Sequence, residues 1–305
     1  MKCTVIGGVN MDIGGVPNAP LLSSDSNPGR IVRSPGGVGR NIAHNMTLLG
    51  LKVSLLTALG TDSDGACIQK QLEELSIDLS ATLHTDKANT STYLYIADHT
   101  GDMALAVSDM QIYNQLTPEY IYPFKDYIND SFLVMIDTNI TEESLMAISE
   151  FCTVPIYADP VSCKKTAKLK SILPKIHTLA PNRLEAEVLS GHKINSEEDL
   201  KEAATILLDK GVSQIFITLG SDGLFAASRS EFIHLPILPG KLINATGAGD
   251  ALMAGLALAK SRNLNLRESS LLGLSCAAIA IEGTETINPR MNAGDAFQRA
   301  CIPFS

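Results

Sequence analysis

At 305 residues the chain is long enough to bury a large core, and 45% hydrophobic with 19% charged residues is an ordinary globular balance. A net charge of −9 argues against a nucleic-acid backbone as partner, because phosphate contacts demand a basic surface. No apolar run is long enough for a membrane span, no leader precedes the first strand, and the six cysteines lack C-x-x-C spacing, so a soluble cytoplasmic protein with reduced thiols is expected.

Short apolar runs alternate with helical periodicity along the chain, the pattern of a mostly parallel, doubly wound α/β sheet in one continuous domain over 1–305. The first strand is Lys2-Cys3-Thr4-Val5-Ile6. Asn10 and Asp12 follow it; Asp12 reads either as a turn former or, at the carboxyl end of a strand where open α/β sheets bind ligands, as an acceptor for ligand hydroxyls. Residues 13–33 are rich in Gly, Pro, Ser and Asn and break the alternation. Gly36-Gly37-Val38-Gly39-Arg40-Asn41 then enters a helix on which Val38, Ile42, Met46 and Leu49 form an apolar stripe before Gly50. Asn41 within it reads as a ligand contact or as an exposed polar residue.

Residues 90–107 hold two alternating runs around Asp98-His99-Thr100-Gly101-Asp102, a hairpin that should project from a parallel sheet. Thr117-Pro118 opens a helix with Ile121, Phe124 and Ile128 on one face. Phe132–Asp137 and Pro155–Asp159 read as buried strands around a helix that follows Thr141. Asn139 lies just past the first of them. Asn182 and Glu185 share one side of a helix entry. Glu185 reads as a Mg²⁺ ligand acting through water or as an acid favoured by the helix dipole. Ser196 caps a helix ending at Gly211, and the strand Gln214–Thr218 leads into Thr218-Leu219-Gly220-Ser221-Asp222-Gly223, whose glycines permit close approach of a ligand.

The most informative run is Asn244-Ala245-Thr246-Gly247-Ala248-Gly249-Asp250. Small residues at a helix N-terminus let backbone N–H groups converge on a phosphate, while a carboxylate there repels the anion and is better suited to accept a proton. Gly247, Ala248 and Gly249 are therefore candidate anion donors and Asp250 a candidate base. By itself the run is also compatible with an ordinary Gly-rich loop closed by Asp.

The early Gly-Gly-x-x-x-Asn element and the late Thr-Gly-Ala-Gly-Asp element, roughly 200 residues apart, resemble the two signatures of the ribokinase or PfkB carbohydrate-kinase family, over nearly the whole chain. Ser26-Asn27-Pro28-Gly29 leading into Gly36–Ala43, together with Pro181–Glu187, resembles the pseudouridine-kinase subgroup of that family. The resemblance implies a ribokinase-like fold with a small β lid from about 13–33 and 90–107. It implies phosphoryl transfer from ATP with Mg²⁺ to a nucleoside 5′-hydroxyl. Separately, an exposed edge of such a lid offers a second subunit strand groups to pair with, so a homodimer through the lid is one expectation. It assigns substrate contacts to Asn10, Asp12, Gly36, Gly37, Asn41 and Asn139, nucleotide contacts to Asn182, Thr218, Gly220, Gly223 and Asn288, and the metal to Glu185. Many members bind a monovalent cation through Asp at the first position of the late motif. Asn244 stands there, supplies no charge, and argues against a potassium requirement. A ribokinase-like sugar kinase, another nucleoside kinase and a non-catalytic nucleoside sensor are the alternatives. A dinucleotide-dependent dehydrogenase is disfavoured, because neither turn reads G-x-G-x-x-G directly after the first strand.

Overall fold

The computed structural model describes residues 1–100 and 102–304. In chain order its strands are β1 (Lys2–Ile6), β2 (Asn10–Pro17), β3 (Gly29–Gly36), β4 (Lys52–Leu56), β5 (Ala58–Gly60), β6 (Leu83–Thr85), β7 (Thr92–Ala97), β8 (Met103–Asp109), β9 (Leu133–Asp137), β10 (Ile156–Asp159), β11 (Ile176–Leu179), β12 (Gln214–Thr218), β13 (Leu224–Ser228) and β14 (Phe232–Leu235). Eight of them form the main sheet in the order β14-β13-β12-β11-β10-β9-β1-β4. The six strands from β4 to β12 pair in parallel, whereas the β12–β13 and β13–β14 pairs at the edge are antiparallel.

The central strands are apolar because both of their faces are covered. Along β9, Leu133 and Met135 pack with one core cluster and Val134 and Ile136 with the other. The first cluster includes residues of the helices Val38–Leu48, Ala248–Ser261 and Leu266–Ile281, and the second those of Glu142–Phe151 and Glu197–Asp209. The sheet is thus doubly wound. Caps expected from the sequence are present: the Thr141 and Ser196 hydroxyls accept the N–H groups of Ser144 and Asp199. The helix opened by Thr117 is shorter than its apolar spacing suggests. It breaks into Pro118–Ile121, a 3₁₀ turn Tyr122–Phe124 and Lys125–Asn129, since Pro123 has no N–H to continue the ladder.

The two stretches that interrupt the alternation combine into one four-stranded sheet, β3-β2-β7-β8. Here β2 pairs antiparallel with β3 and parallel with β7, so residues 10–36 and 92–109 meet although 56 positions separate Gly36 from Thr92. The sheet begins earlier than the composition suggests. Asn10, Asp12 and Gly36 are strand residues of it, not turn residues. At the β7–β8 turn the Asp98 carboxylate accepts the N–H groups of Thr100 and Asp102; Gly101 of the expected turn lies outside the described residues. A further pair, β5 with β6, has no counterpart in the sequence reading. Among the described residues no helix is long and apolar enough to cross a membrane, and all six cysteines are free thiols.

Candidate active site

The carboxyl ends of β1, β9, β10, β11 and β12 point the same way, and Asn10, Asp137, Asp159, Asn182 and Thr218 lie at or just beyond them. The helix Ala248–Ser261 presents its N-terminus to the same region. It starts at Gly247, whose φ of 85° is left-handed; a side chain there would also meet the Thr286 carbonyl at 2.3 Å, so the turn requires glycine. Asn244 holds the turn through its Oδ1, which accepts the Thr246 N–H at 2.9 Å. Asp250 therefore lies in the first helical turn, among N–H groups that have no intrahelical partner.

Asp250 is only 8% exposed. Asn41, 209 positions away, donates its Nδ2 to Asp250 Oδ2 at 2.9 Å, joining the early motif to the late one. Burial pushes the Asp250 carboxyl up to about 7, and nearby Asp137 adds to the rise, whereas the Asn41 hydrogen bond and the Arg40 charge oppose it. A carboxylate poised near neutrality has the affinity a general base needs.

Arg40 is the principal residue that the sequence reading passed over. It is 4% exposed, with Nη1 donating to Asn41 Oδ1 at 3.0 Å and Nη2 to Gln71 Oε1 at 2.6 Å. Because a guanidinium only donates, it fixes the Asn41 amide with oxygen toward Arg40 and nitrogen toward Asp250. Its charge acts on both Asp12 and Asp250. Burial raises Asp12 to about 6, opposed by a hydrogen bond from Asn10 and by Arg40. Gly36 makes room for this carboxylate: a side chain there would lie 2.1 Å from Asp12 Oδ2. Gly37, with φ 97°, passes so close to Gly8 and Val9 that a side chain would collide with their backbone. The Val9 N–H donates to the buried Tyr113 hydroxyl at 2.5 Å, which steadies the entry to β2.

Two cavities open beside Asp250. The larger, about 430 Å³, is an apolar slot lined by Thr218, Gly220, Gly223, Leu242, Ala245 and Ile281 among others. The smaller, about 170 Å³, is bordered by Asp159, Asn182, Glu185, Gly247 and Asp250. Thr218, Gly249 and Leu252 line both. At Gly249 the space a side chain would fill is open, with no atom within 4 Å. The slot has the size and lining of a site for a flat apolar-faced group, and the shared wall leads from it to the N-terminal amides before Asp250.

Asn182 and Glu185 form a capping box: Asn182 Oδ1 accepts the Glu185 N–H at 3.0 Å, and Glu185 Oε2 accepts the Asn182 N–H at 2.8 Å. Glu185 thus does cap the helix, and it also faces the smaller cavity. Burial raises its carboxyl, and burial raises Asp159 further, helped by the neighbouring Asp250, Glu185 and Asp137 charges. Asp159, at the end of a strand expected only to be buried, is a second residue the sequence reading missed. Among the described residues no group of three acidic, His or Cys side chains makes a metal cage. Carboxylates beside an anion-binding turn suit Mg²⁺, which keeps waters and phosphate oxygens around it.

Two of the expected contact residues have other partners within the fold. Asn139 does not line either cavity; its Oδ1 accepts from Lys165 Nζ at 2.5 Å and its amide packs over Gly8. Asn288 sits behind the apolar slot, donating to the Ile279 carbonyl at 2.6 Å and accepting the Arg290 N–H at 3.0 Å. It is not among the residues that line the slot.

A doubly wound sheet that brings a buried carboxylate, a small-residue helix N-terminus and an apolar slot to one edge belongs to a phosphotransferase of ribokinase-like build. Residues 1–293 match the pfkB family carbohydrate kinases, and the chain belongs to that family. It is 38% identical over 290 residues to the pseudouridine kinase of Escherichia coli (strain K12), covering 94% of this chain and 93% of that protein. It is 26% identical over 364 residues to the pseudouridine kinase of Arabidopsis thaliana, covering 97% and 96%. A carbohydrate kinase from Agrobacterium tumefaciens superposes with a TM-score of 0.87 at 26% identity, over 99% of this chain and 97% of that one.

Proposed function

We propose that this chain transfers the γ-phosphoryl group of ATP to the 5′-hydroxyl of pseudouridine. The hydrogen bond from Asn41 to Asp250 carries the reading, because it joins the carboxylate of the late motif to the glycine-rich early one. The similarity to two pseudouridine kinases supports the choice of nucleoside.

In this reading Asp12 and Asn41 hold the ribose hydroxyls, and the adenine lies in the apolar slot against Thr218, Gly220 and Gly223. Asp250 accepts the proton of the attacking 5′-hydroxyl. The amides of Gly247, Ala248 and Gly249 receive the charge spread over the transferring phosphoryl oxygens, a kind of fixed donor worth roughly 10²–10³ in rate. Glu185 and Asp159 would hold Mg²⁺ through water, and the ion supplies neutralisation of the β- and γ-oxygens when bound. The four-stranded sheet acts as a lid that excludes water, a competing acceptor. Its outer face, with Ile31, Leu105 and Val107 exposed, is the surface on which a second copy would pair. The location is cytoplasmic.

Phosphorylated product measured with ATP and pseudouridine, uridine, adenosine or D-ribose at equal concentrations tests the reading. The highest kcat/KM is expected for pseudouridine. Equal or better rates with D-ribose or adenosine would overturn the substrate while leaving the kinase chemistry in place.

A further inference from the structure

The strand β2 leaves the active site at Asn10 and Asp12 and continues outward as the centre of the small sheet, so residues on the Asp12 face of that sheet border whatever extends beyond the ribose. Its register is defined: Asp12 lies opposite Tyr93 and Gly14 opposite Tyr95 on β7. Register partners share a face, and Asp12 and Gly14, two positions apart, share it too. The contact is direct, since a side chain at position 14 would lie 2.4 Å from Cζ of Tyr95. The Tyr95 ring therefore occupies the room that glycine leaves. Tyr93 stands beside it with ring centroids 6.2 Å apart and planes tilted by 34°, and its hydroxyl donates to Met103 Sδ at 3.1 Å. Both rings are half-buried. The opposite face is more open, with Leu94, Leu105 and Val107 exposed.

Strands advance about 3.3 Å per residue, so Gly14 lies about 7 Å beyond Asp12. That is the span from the hydroxyls of a ribose to the middle of its base. We propose that Tyr95, braced by Tyr93 and admitted by Gly14, is the platform on which the nucleoside base stacks, and hence the residue that distinguishes nucleoside from free sugar. The inference rests on the nucleoside reading above. Stacking on an aromatic face tolerates different bases, because every base has a π-face. The platform accordingly separates nucleosides from ribose, and leaves pseudouridine and uridine to be told apart by polar groups at the base edge.

The test uses Tyr95→Leu, which keeps bulk over Gly14 but removes the ring; Tyr95→Phe, which keeps the ring; and Gly14→Ala, which keeps tyrosine but displaces it. Steady-state rates are measured for pseudouridine, uridine and D-ribose at saturating ATP, with D-ribose driven at high concentration. Tyr95→Leu is expected to lower kcat/KM for both nucleosides by about 10- to 100-fold, mainly through KM, from the loss of one base–aromatic stack. Its rate on D-ribose should stay within about twofold, and Tyr95→Phe should remain near the parent. Gly14→Ala should lose nucleosides selectively in the same direction, and it decides the matter alone if Tyr95→Leu does not fold. Unchanged nucleoside kinetics in the folded variants, or equal losses on D-ribose, would overturn the platform while the parent enzyme still prefers nucleosides. A parent enzyme that phosphorylates D-ribose as well as pseudouridine would remove the substrate reading and the platform with it.

Discussion

Replacing Asn41 by Leu deletes the amide that donates to Asp250 Oδ2 at 2.9 Å while keeping the number and branching of the side-chain heavy atoms. A hydrogen bond to an ionised group contributes about 1.5–3 kcal/mol, and one pKa unit corresponds to about 1.4 kcal/mol, so the carboxyl should rise by roughly 1–2 units. It starts at about 7. Half of Asp250 is then ionised at pH 7 in the parent, against about 9% at a pKa of 8 and about 1% at 9. The ionised form is the one that accepts the hydroxyl proton, so kcat/KM at pH 7 should fall by about 5- to 50-fold from this cause and recover toward higher pH. Any ribose contact made by Asn41 adds a loss that does not depend on pH. Initial rates from pH 5.5 to 9.5, fitted for the acidic limb of kcat/KM, separate the two. An acidic limb that stays where it is in the parent, with activity reduced evenly at all pH values, would refute the argument that Asn41 tunes the base.

Asp250→Asn keeps the size of the side chain but cannot take the proton; turnover should fall by about 10²–10⁴, and a variant within a few-fold of the parent would show that Asp250 is not the base. The same substitution has a stability signature. The folded-state carboxyl is raised above its unfolded value, so the native protein binds more protons between about pH 4 and pH 7, and the parent loses stability as pH rises through that window. Thermal melts should show Asp250→Asn more stable than the parent at pH 8 and little different at pH 4. Gly249→Val fills the open space shared by the two cavities; calorimetry should find nucleotide binding weakened at least about tenfold, with the melting temperature within a few degrees of the parent. Hydrogen exchange should slow in β2, β3, β7 and β8 when saturating nucleoside is added, and unchanged exchange there would remove the lid from the mechanism.

Much of the framework was legible in the sequence because it depends on local period and local chemistry. The all-apolar β9 announces a strand covered on two sides, Ser196 and Asn182 sit where caps belong, and Gly247 and Asp250 define a turn whose backbone and charge point to one kind of chemistry. Each of these signals lies within a few residues of the feature it specifies. Recognisable motifs at both ends of the chain also gave the family.

The tertiary structure alone decided what those local features touch. Nothing near Asn41 in the chain says that its amide meets Asp250, and nothing in the glycine-rich early motif says that Arg40 is buried with its charge acting on two carboxylates. Those contacts arise because helices distant in sequence pack side by side on one face of the same sheet. Asn139 and Asn288 read as ligand contacts by position, and the fold adds partners that position does not announce: Lys165 for Asn139 and the Ile279 carbonyl for Asn288, 26 and 9 residues away. The small sheet makes the same point: composition marks residues 13–33 as irregular, yet pairing with β7 turns their flanks into strands. Local sequence determines which backbone states are cheap and which side chains carry charge, whereas burial, and with it the raised carboxyls of Asp12 and Asp250, is a property of the surroundings that folding assembles.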